Sequence, residues 1–219
     1  MKRTFTLIAT LVSFCVISAV FSSCGGFFGV DLTDQKSVDE YLRKNIEKFV
    51  TPENIVVEIN MIPINSDGGF STKMDQARVA HFLPDDEELL SYDIMLGGAD
   101  KDVPKETLIK PSHLRKAKPA DGMKLKDIDF SKIASNVQKA TEIMQELFAE
   151  NELEGQKFDG IGHYTITLNS DPSKVTHEFE LQSIEGKERG TKNGRNVVTT
   201  NYYKLEFVAD AEGNVELKD

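Results

Sequence analysis

The chain has 219 residues, of which 39% are hydrophobic, and this is enough for one large domain or two small ones. Its formal net charge of −10 argues against binding to nucleic acid or to anionic lipid head groups, because like charges repel. Only two cysteines are present, so we expect the hydrophobic core rather than disulfides to stabilise the fold.

Residues 1–23 have the three parts of a secretory signal peptide. Two cations open the chain, residues 5–21 form an apolar run without charge, and two serines precede Cys24. The sequence Phe21-Ser-Ser-Cys24 resembles the lipobox of bacterial lipoproteins, in particular those of the Bacteroidetes type. Two other interpretations stay open, which are an uncleaved membrane anchor and an ordinary signal peptide cut near Ala19.

The lipobox resemblance implies that Cys24 becomes the lipid-carrying first residue of the mature protein. Several acyl chains on one residue, palmitate among them, would hold it stably on a membrane. In such lipoproteins an acidic run just after the cysteine accompanies export to the cell surface, and residues 25–29 contain no acid. The expected location is therefore the cell envelope, on the outer membrane facing the periplasm.

The mature chain is predicted to start with a flexible tether at residues 24–36, followed by a first folded unit at residues 37–96. Ser37 and Glu40 form a predicted capping box at the start of a helix. The apolar face of this helix consists of Val38, Tyr41, Leu42, Ile46 and Phe49. Three strands are then predicted from alternating apolar residues, at residues 55–61, 70–83 and 90–96.

Residues 97–128 lose this periodicity and contain three prolines, so they are predicted to be an irregular connection. A second unit is predicted at residues 129–219. It opens with a helix at 131–149, whose apolar stripe is Ile133, Val137, Ala140, Met144 and Leu147. Three or four strands follow, and residues 185–196 are predicted to be a charged hairpin loop between two of them.

Helices that each precede a run of strands indicate an α+β fold, here two helix-then-antiparallel-sheet units in tandem. The order of elements resembles tandem units of the PepSY-like, cystatin-like or β-lactamase-inhibitor-like kind. This resemblance concerns architecture and implies no site.

The sequence offers no catalytic residue and no metal or cofactor site. His177-Glu178 opens like a zinc-protease motif, but the second histidine is missing and the predicted element is a strand. The four histidines are scattered without ligand spacing. No nucleophile-elbow or phosphate-loop pattern occurs, and no cofactor is therefore expected.

Two basic segments stand out against the acidic background. One lies in the connection, where Arg115, Lys116 and Lys118 are the candidate contact for a partner. The other lies in the late hairpin and consists of Lys187, Arg189, Lys192 and Arg195. The alternative for both segments is a solvated linker and a solvated loop.

These features favour a membrane-anchored envelope lipoprotein that binds another envelope protein without catalysis. The alternatives are an envelope hydrolase with an unrecognised site and a structural subunit of a surface assembly, in which exposed strand edges pair between chains. The oligomeric state and the partner's identity do not follow from the sequence.

Overall fold

The computed structural model describes residues 29–63, 71–97, 105–106, 112–151, 156–192 and 195–218, with the backbone alone at 105–106, 191–192 and 195–198. The predicted signal peptide and Cys24 lie outside these residues. The described residues contain eleven strands: β1 Val30–Asp31, β2 Ile55–Ile62, β3 Lys73–Met74, β4 Gln76–Phe82, β5 Leu89–Met95, β6 Lys105–Glu106, β7 Met123–Lys124, β8 Gly160–Thr167, β9 Thr176–Lys192, β10 Arg195–Ala209 and β11 Val215–Leu217.

Nine of these strands form one antiparallel sheet in the order β11-β10-β9-β8-β2-β4-β5-β6, with β7 paired to β2 as well. Strands β1 and β3 pair separately. Strands from both predicted units therefore share a sheet, and they meet where Ile59 of β2 lies opposite Ile166 of β8. The α+β class is confirmed, and the fold is rich in sheet. The division into two tandem units is not confirmed.

The N-terminal helix spans residues 35–47, in α-helical segments Gln35–Ser37 and Arg43–Glu47 around a π-helical segment Val38–Leu42. Its buried residues are spaced by four, at Val38, Leu42 and Ile46. A spacing of four exceeds the 3.6 residues of an α-helical turn, so the stripe would drift around an α-helix. The wider π turn keeps these side chains facing the core.

The predicted capping box at Ser37 and Glu40 is not formed. The helix starts earlier, and the Asp34 carboxylate caps it by accepting from the Lys36 amide. The Ser37 hydroxyl instead accepts from the amide of Asp31 at 3.0 Å. A serine three residues before a glutamate fits the capping pattern, but a capping aspartate also lies one turn upstream.

The long helix spans Ile133–Glu150, close to the predicted bounds. Four of its five predicted stripe residues are buried, and Leu147 is the exception because it is only half-buried. The next residue, Phe148, takes its place in the core and lies 5.8 Å from the Tyr203 ring.

Both helices pack on the same face of the sheet, which we call the helix face. One continuous core lies between the two helices and the sheet. Its strand residues include Ile59, Val79, Ile94, Tyr164, Ile166, Phe179, Leu181 and Phe207. A register shift between Val56 and Glu58 interrupts the alternation of β2. Val57 therefore packs with Phe82 on the opposite side of the sheet, and not with Ile59 as the simple alternation predicts.

The predicted flexible tether at residues 24–36 is too long. Val30 and Leu32 are fully buried in the core, and β1 pairs with β3. The backbone of Gly29 comes so close to the carbonyl oxygen of Met74 that a Cβ would clash. The described part of this segment therefore belongs to the fold.

The described part of the predicted connection is also packed. Residues 112–127 form three short 3₁₀ helices, Ser112–Lys116, Pro119–Asp121 and Leu125–Asp127, together with β7. Leu125 is fully buried in the core that the two helices share. Residues 112–127 are therefore short turns of helix and a short strand packed on the rest of the fold.

Candidate functional site

The face of the sheet opposite the helices, which we call the open face, carries mostly polar side chains. Side chains alternate between the two faces along a strand, so the residues between the core positions of β2, β4 and β5 point to this face. Directly opposite residues share a face, and one such row is Asn60, Arg78 and Asp93. This row lies in a cleft of about 240 Å³.

Two of the side chains that line the cleft form an ion pair between neighbouring strands. Arg78 donates from Nε to Oδ1 of Asp93 at 2.7 Å and from Nη2 to Oδ2 at 3.1 Å. This two-point contact raises the pKa of Arg78 further above its usual value. It also fixes the planar guanidinium in one orientation, as paired donors and acceptors do.

A second pair closes one side of the cleft. Nε2 of His113 lies 2.6 Å from Oε2 of Glu58, whose side chain is only 8% exposed, whereas the imidazole is 62% exposed. His113 belongs to the 3₁₀ helix Ser112–Lys116, which is held on the open face by Leu114. Leu114 is buried against Phe82 and Leu89. The connection therefore folds back over the sheet instead of leaving it.

The predicted contact residues Arg115, Lys116 and Lys118 are all exposed beside this cleft. Arg115 and Lys116 follow His113 on the same 3₁₀ helix. Among the described residues, no acid forms an ion pair with any of the three. The structure thus places them beside the cleft on the open face, next to the segment that packs on β2, β4 and β5.

Two lysines further along the chain pair with an acid of the fold. Lys126 and Lys124 both bind the carboxylate of Glu53, at 2.7 Å and 2.9 Å. These two hydrogen bonds lower the pKa of Glu53 to about 2. Among the lysines and arginines at residues 112–126, which the structure describes, Arg115, Lys116 and Lys118 therefore remain for a partner.

The other half of the open face, on β9–β11, is acidic. Glu178, Glu180 and Glu206 are accompanied by two lysines. Lys204 lies 3.2 Å from Glu180, and Lys218 lies 2.7 Å from Glu178 and 3.9 Å from Glu206. The pairs of Lys218 are exposed and add little to stability, whereas Glu180 is largely buried beneath Lys204.

A polar group also lies inside the core. The Asn136 amide donates to the Tyr164 hydroxyl at 3.3 Å, and that oxygen lies 3.1 Å from Nδ1 of His177. Burial lowers the pKa of His177 to about 4 and raises that of Tyr164. His177 faces the helix face and Glu178 the open face, so the two side chains of the predicted zinc-like motif point apart, as expected for a strand.

No group of three or more metal-ligating side chains is found within the described residues. None of the helices in that part of the chain is long and apolar enough to cross a membrane. Comparison of the chain with protein-family models, with curated proteins and with solved structures gives no match.

Sequence reasoning missed the residues that line the cleft. Glu58, Arg78 and Asp93 each appear as a polar residue within an alternating strand, which is typical of a solvated sheet face. His113 lies in a segment without periodicity, and no pattern indicates that it returns to β2. The register between strands, which brings these residues together, is not encoded in local spacing.

Proposed function

We propose that this chain is a lipid-anchored envelope protein that binds another protein without catalysing a reaction. The lipid is attached to Cys24, and the protein faces the periplasm from the outer membrane. The observation that carries the proposal is the exposed basic group Arg115, Lys116 and Lys118, fixed beside a polar cleft on the uncovered face of the sheet.

The basic group is suited to binding because it is held in place before a partner arrives. Leu114 is buried beneath it, and His113 contacts Glu58 next to it. An ordered surface loses less conformational entropy on association than a flexible linker does. Three cations on a strongly acidic chain form a local positive patch, so the partner presents an acidic surface.

The anchor limits where binding takes place. Five residue steps separate Cys24 from Gly29, where the described fold begins, and they span at most about 17 Å. The folded part therefore stays close to the membrane surface. A partner in the same membrane, or one that approaches it closely, meets this requirement.

We also propose that the chain consists of two tandem units that share one sheet. The order of strands supports this arrangement, because β2, β4 and β5 extend outward on one side of the centre and β8, β9 and β10 on the other. Each set of three follows a helix, and the first strand of each set lies at the centre. Such an order is expected when a helix-plus-three-strand unit is duplicated.

The binding proposal is tested by recovering partners from native membranes with the lipidated protein. Changing Arg115, Lys116 and Lys118 together to Glu should remove the partner or weaken its binding at low salt. In the wild type, binding should weaken as salt rises, because exposed charges are screened over about 8 Å at physiological ionic strength.

The matched control changes three exposed lysines elsewhere, Lys36, Lys44 and Lys157, to Glu. It alters the net charge by the same amount and leaves the basic group intact. Recovery of the same partners with the same salt response by all three proteins would contradict the proposed contact. A Cys24→Ser variant that stays in the membrane fraction, uncleaved and as abundant as wild type, would contradict the lipid anchor.

A further inference from the structure

Strands β9 and β10 extend well beyond the sheet. β8 pairs with β9 only as far as Gln182, and β11 pairs with β10 only from Phe207 onward. Residues 183–192 and 195–203 pair only with each other among the described strands. They form a two-stranded arm in the region where the sequence predicts a hairpin loop.

The outer edge of β10 has no neighbouring strand from residue 195 to residue 205, within the described part of the chain. The amide of Lys218 donates to the carbonyl of Glu206 at 2.8 Å, so the backbone groups of Glu206 point away from β9. In an antiparallel pair this direction alternates, and every second residue back to Asn196 therefore points outward as well. The register shift near Tyr202 leaves this alternation intact, because the extra residue, Glu185, is on β9.

The composition of this edge favours pairing with another strand. The eight residues 196–203 contain no charge, no proline and no glycine, although 28% of the whole chain is charged. Six of the eight are Val, Thr or Tyr, which favour strands. Charges and prolines are the usual means of preventing edge-to-edge association, and they are missing from this segment.

We infer that the β10 edge pairs in antiparallel fashion with β10 of a second copy of this chain, about a two-fold axis at Thr200. The open stretch 195–205 is centred on Thr200, so this register uses its whole length, about 35 Å. Thr200 is one of the outward-pointing residues, which allows the two copies to exchange backbone hydrogen bonds there. A contact of this kind is self-complementary and closed.

Charge favours a second copy as the occupant. The arm carries Lys187, Arg189, Lys192 and Arg195 against Glu185 and Glu188, so it is positive on an otherwise acidic chain. In the register centred on Thr200, the tip of one arm lies next to Glu206 of the other copy. Glu216 is on β11, which pairs beside that position. The basic tip of each copy therefore meets an end of the other that carries Glu206 and Glu216, with Lys218 beside them as the opposing cation.

The test is the molar mass of the full chain, purified in detergent and measured by light scattering over a range of concentrations. Thr200→Pro removes one outward N–H and no hydrogen bond to β9, so it should convert a dimer into a monomer. Thr200→Ala keeps the N–H and is the matched control, which should remain dimeric. Tyr202→Lys places a charge on the same edge and should also give a monomer.

Circular dichroism reports whether each variant is folded. If Thr200→Pro does not fold, the molar mass of Tyr202→Lys is the test of the dimer. A wild type that is monomeric at every concentration would overturn the inference, and so would a folded Thr200→Pro or Tyr202→Lys protein that stays dimeric. An assembly of more than two copies would contradict the two-fold pairing. The Arg115, Lys116 and Lys118 variant should still dimerise, so this result is independent of the proposed partner binding.

Discussion

His177 is a buried ionisable side chain, and its imidazole contacts the Tyr164 hydroxyl, to which Asn136 also donates. Such a group is stable there only in its neutral form, because charging it would cost the hydration that burial has removed. Tyr164 in turn stacks on Phe179 with ring centroids 4.9 Å apart, and the His177 side chain is buried. The histidine therefore makes the stability of the fold depend on pH.

We predict that stability falls as the pH is lowered from about 6.5 to about 4. The pKa of His177 is about 4 in the folded state and near 6.5 in the unfolded chain. In this interval the unfolded state binds the proton first, so the favourable contribution is complete above pH 6.5 and is lost on acidification. The shift corresponds to about 3 kcal/mol of unfolding free energy.

The measurement is urea denaturation of the wild type and of His177→Gln at several pH values. The variant should lack this part of the pH dependence. Its unfolding free energy should therefore fall less than that of the wild type between neutral pH and pH 4.5. His81, which is also buried with a lowered pKa, is present in both proteins and cancels in the difference. Parallel pH curves for the two proteins would show that His177 is not responsible.

Among the elements, the 3₁₀ helix Ser112–Lys116 shows how one apolar residue fixes an otherwise polar segment. Leu114 is its only buried residue, and it reaches Phe82 and Leu89. Helices this short are not stable by themselves, so the position of the segment depends on that contact. The presentation of the basic group depends on it in turn.

We predict that Leu114→Ala releases this segment. Trypsin should then cut after Arg115 and Lys116 faster than in the wild type, because cleavage requires local opening. Leu83→Ala is the matched control, since Leu83 is 40% exposed and its truncation should leave the cleavage rate unchanged. Equal cleavage rates in Leu114→Ala and wild type, followed by mass spectrometry, would show that the segment is held by other contacts.

Periodicity was sufficient to predict the elements that are regular, and it failed where a contact between elements decides the structure. The long helix could be predicted because Ile133, Val137, Ala140 and Met144 repeat at helical spacing. The bulge that turns Val57 away from Ile59 leaves no such mark in the sequence. The arm does have a sequence signal. Asn193-Gly194, between Lys192 and Arg195, is typical of a two-residue connection in a hairpin.

The cleft could not be predicted for the same reason. Glu58, Arg78 and His113 come from three separate segments, and only strand register and the return of the connection bring them together. The basic group was visible as a cluster of charge within a few residues. The fixed position of the basic group depends on the burial of Leu114. That burial could not be predicted, because the segment around Leu114 has no periodic pattern.

At the scale of the whole molecule, the shared core joins both helices and strands from both halves. We predict that the fold unfolds in a single transition, because the larger of its two apolar clusters is built from both halves. Met144→Ala should lower the unfolding free energy by about 2–5 kcal/mol, since Met144 is fully buried. Leu147→Ala, on the same helix but half-buried, is the matched control and should cost less.

Hydrogen exchange followed by mass spectrometry can distinguish the two outcomes. In Met144→Ala, peptides from β4 and from β9 should lose protection by the same amount, although only β9 belongs to the half that contains the helix. Loss of protection confined to β8–β11 would indicate two independently folding halves and contradict the prediction.

The central position of β2 also has a consequence for the order in which the protein can fold. Its partner β8 lies about 100 residues further along the chain, so this pairing has a high contact order and is expected to form late. Under the export proposed above, the chain crosses a membrane N-terminus first, and one edge of β2 stays exposed until β8 has followed. During that time Ile59 and Met61 lack part of their cover. We therefore expect newly exported chains to aggregate, or to need a chaperone, until residues 160–167 have emerged.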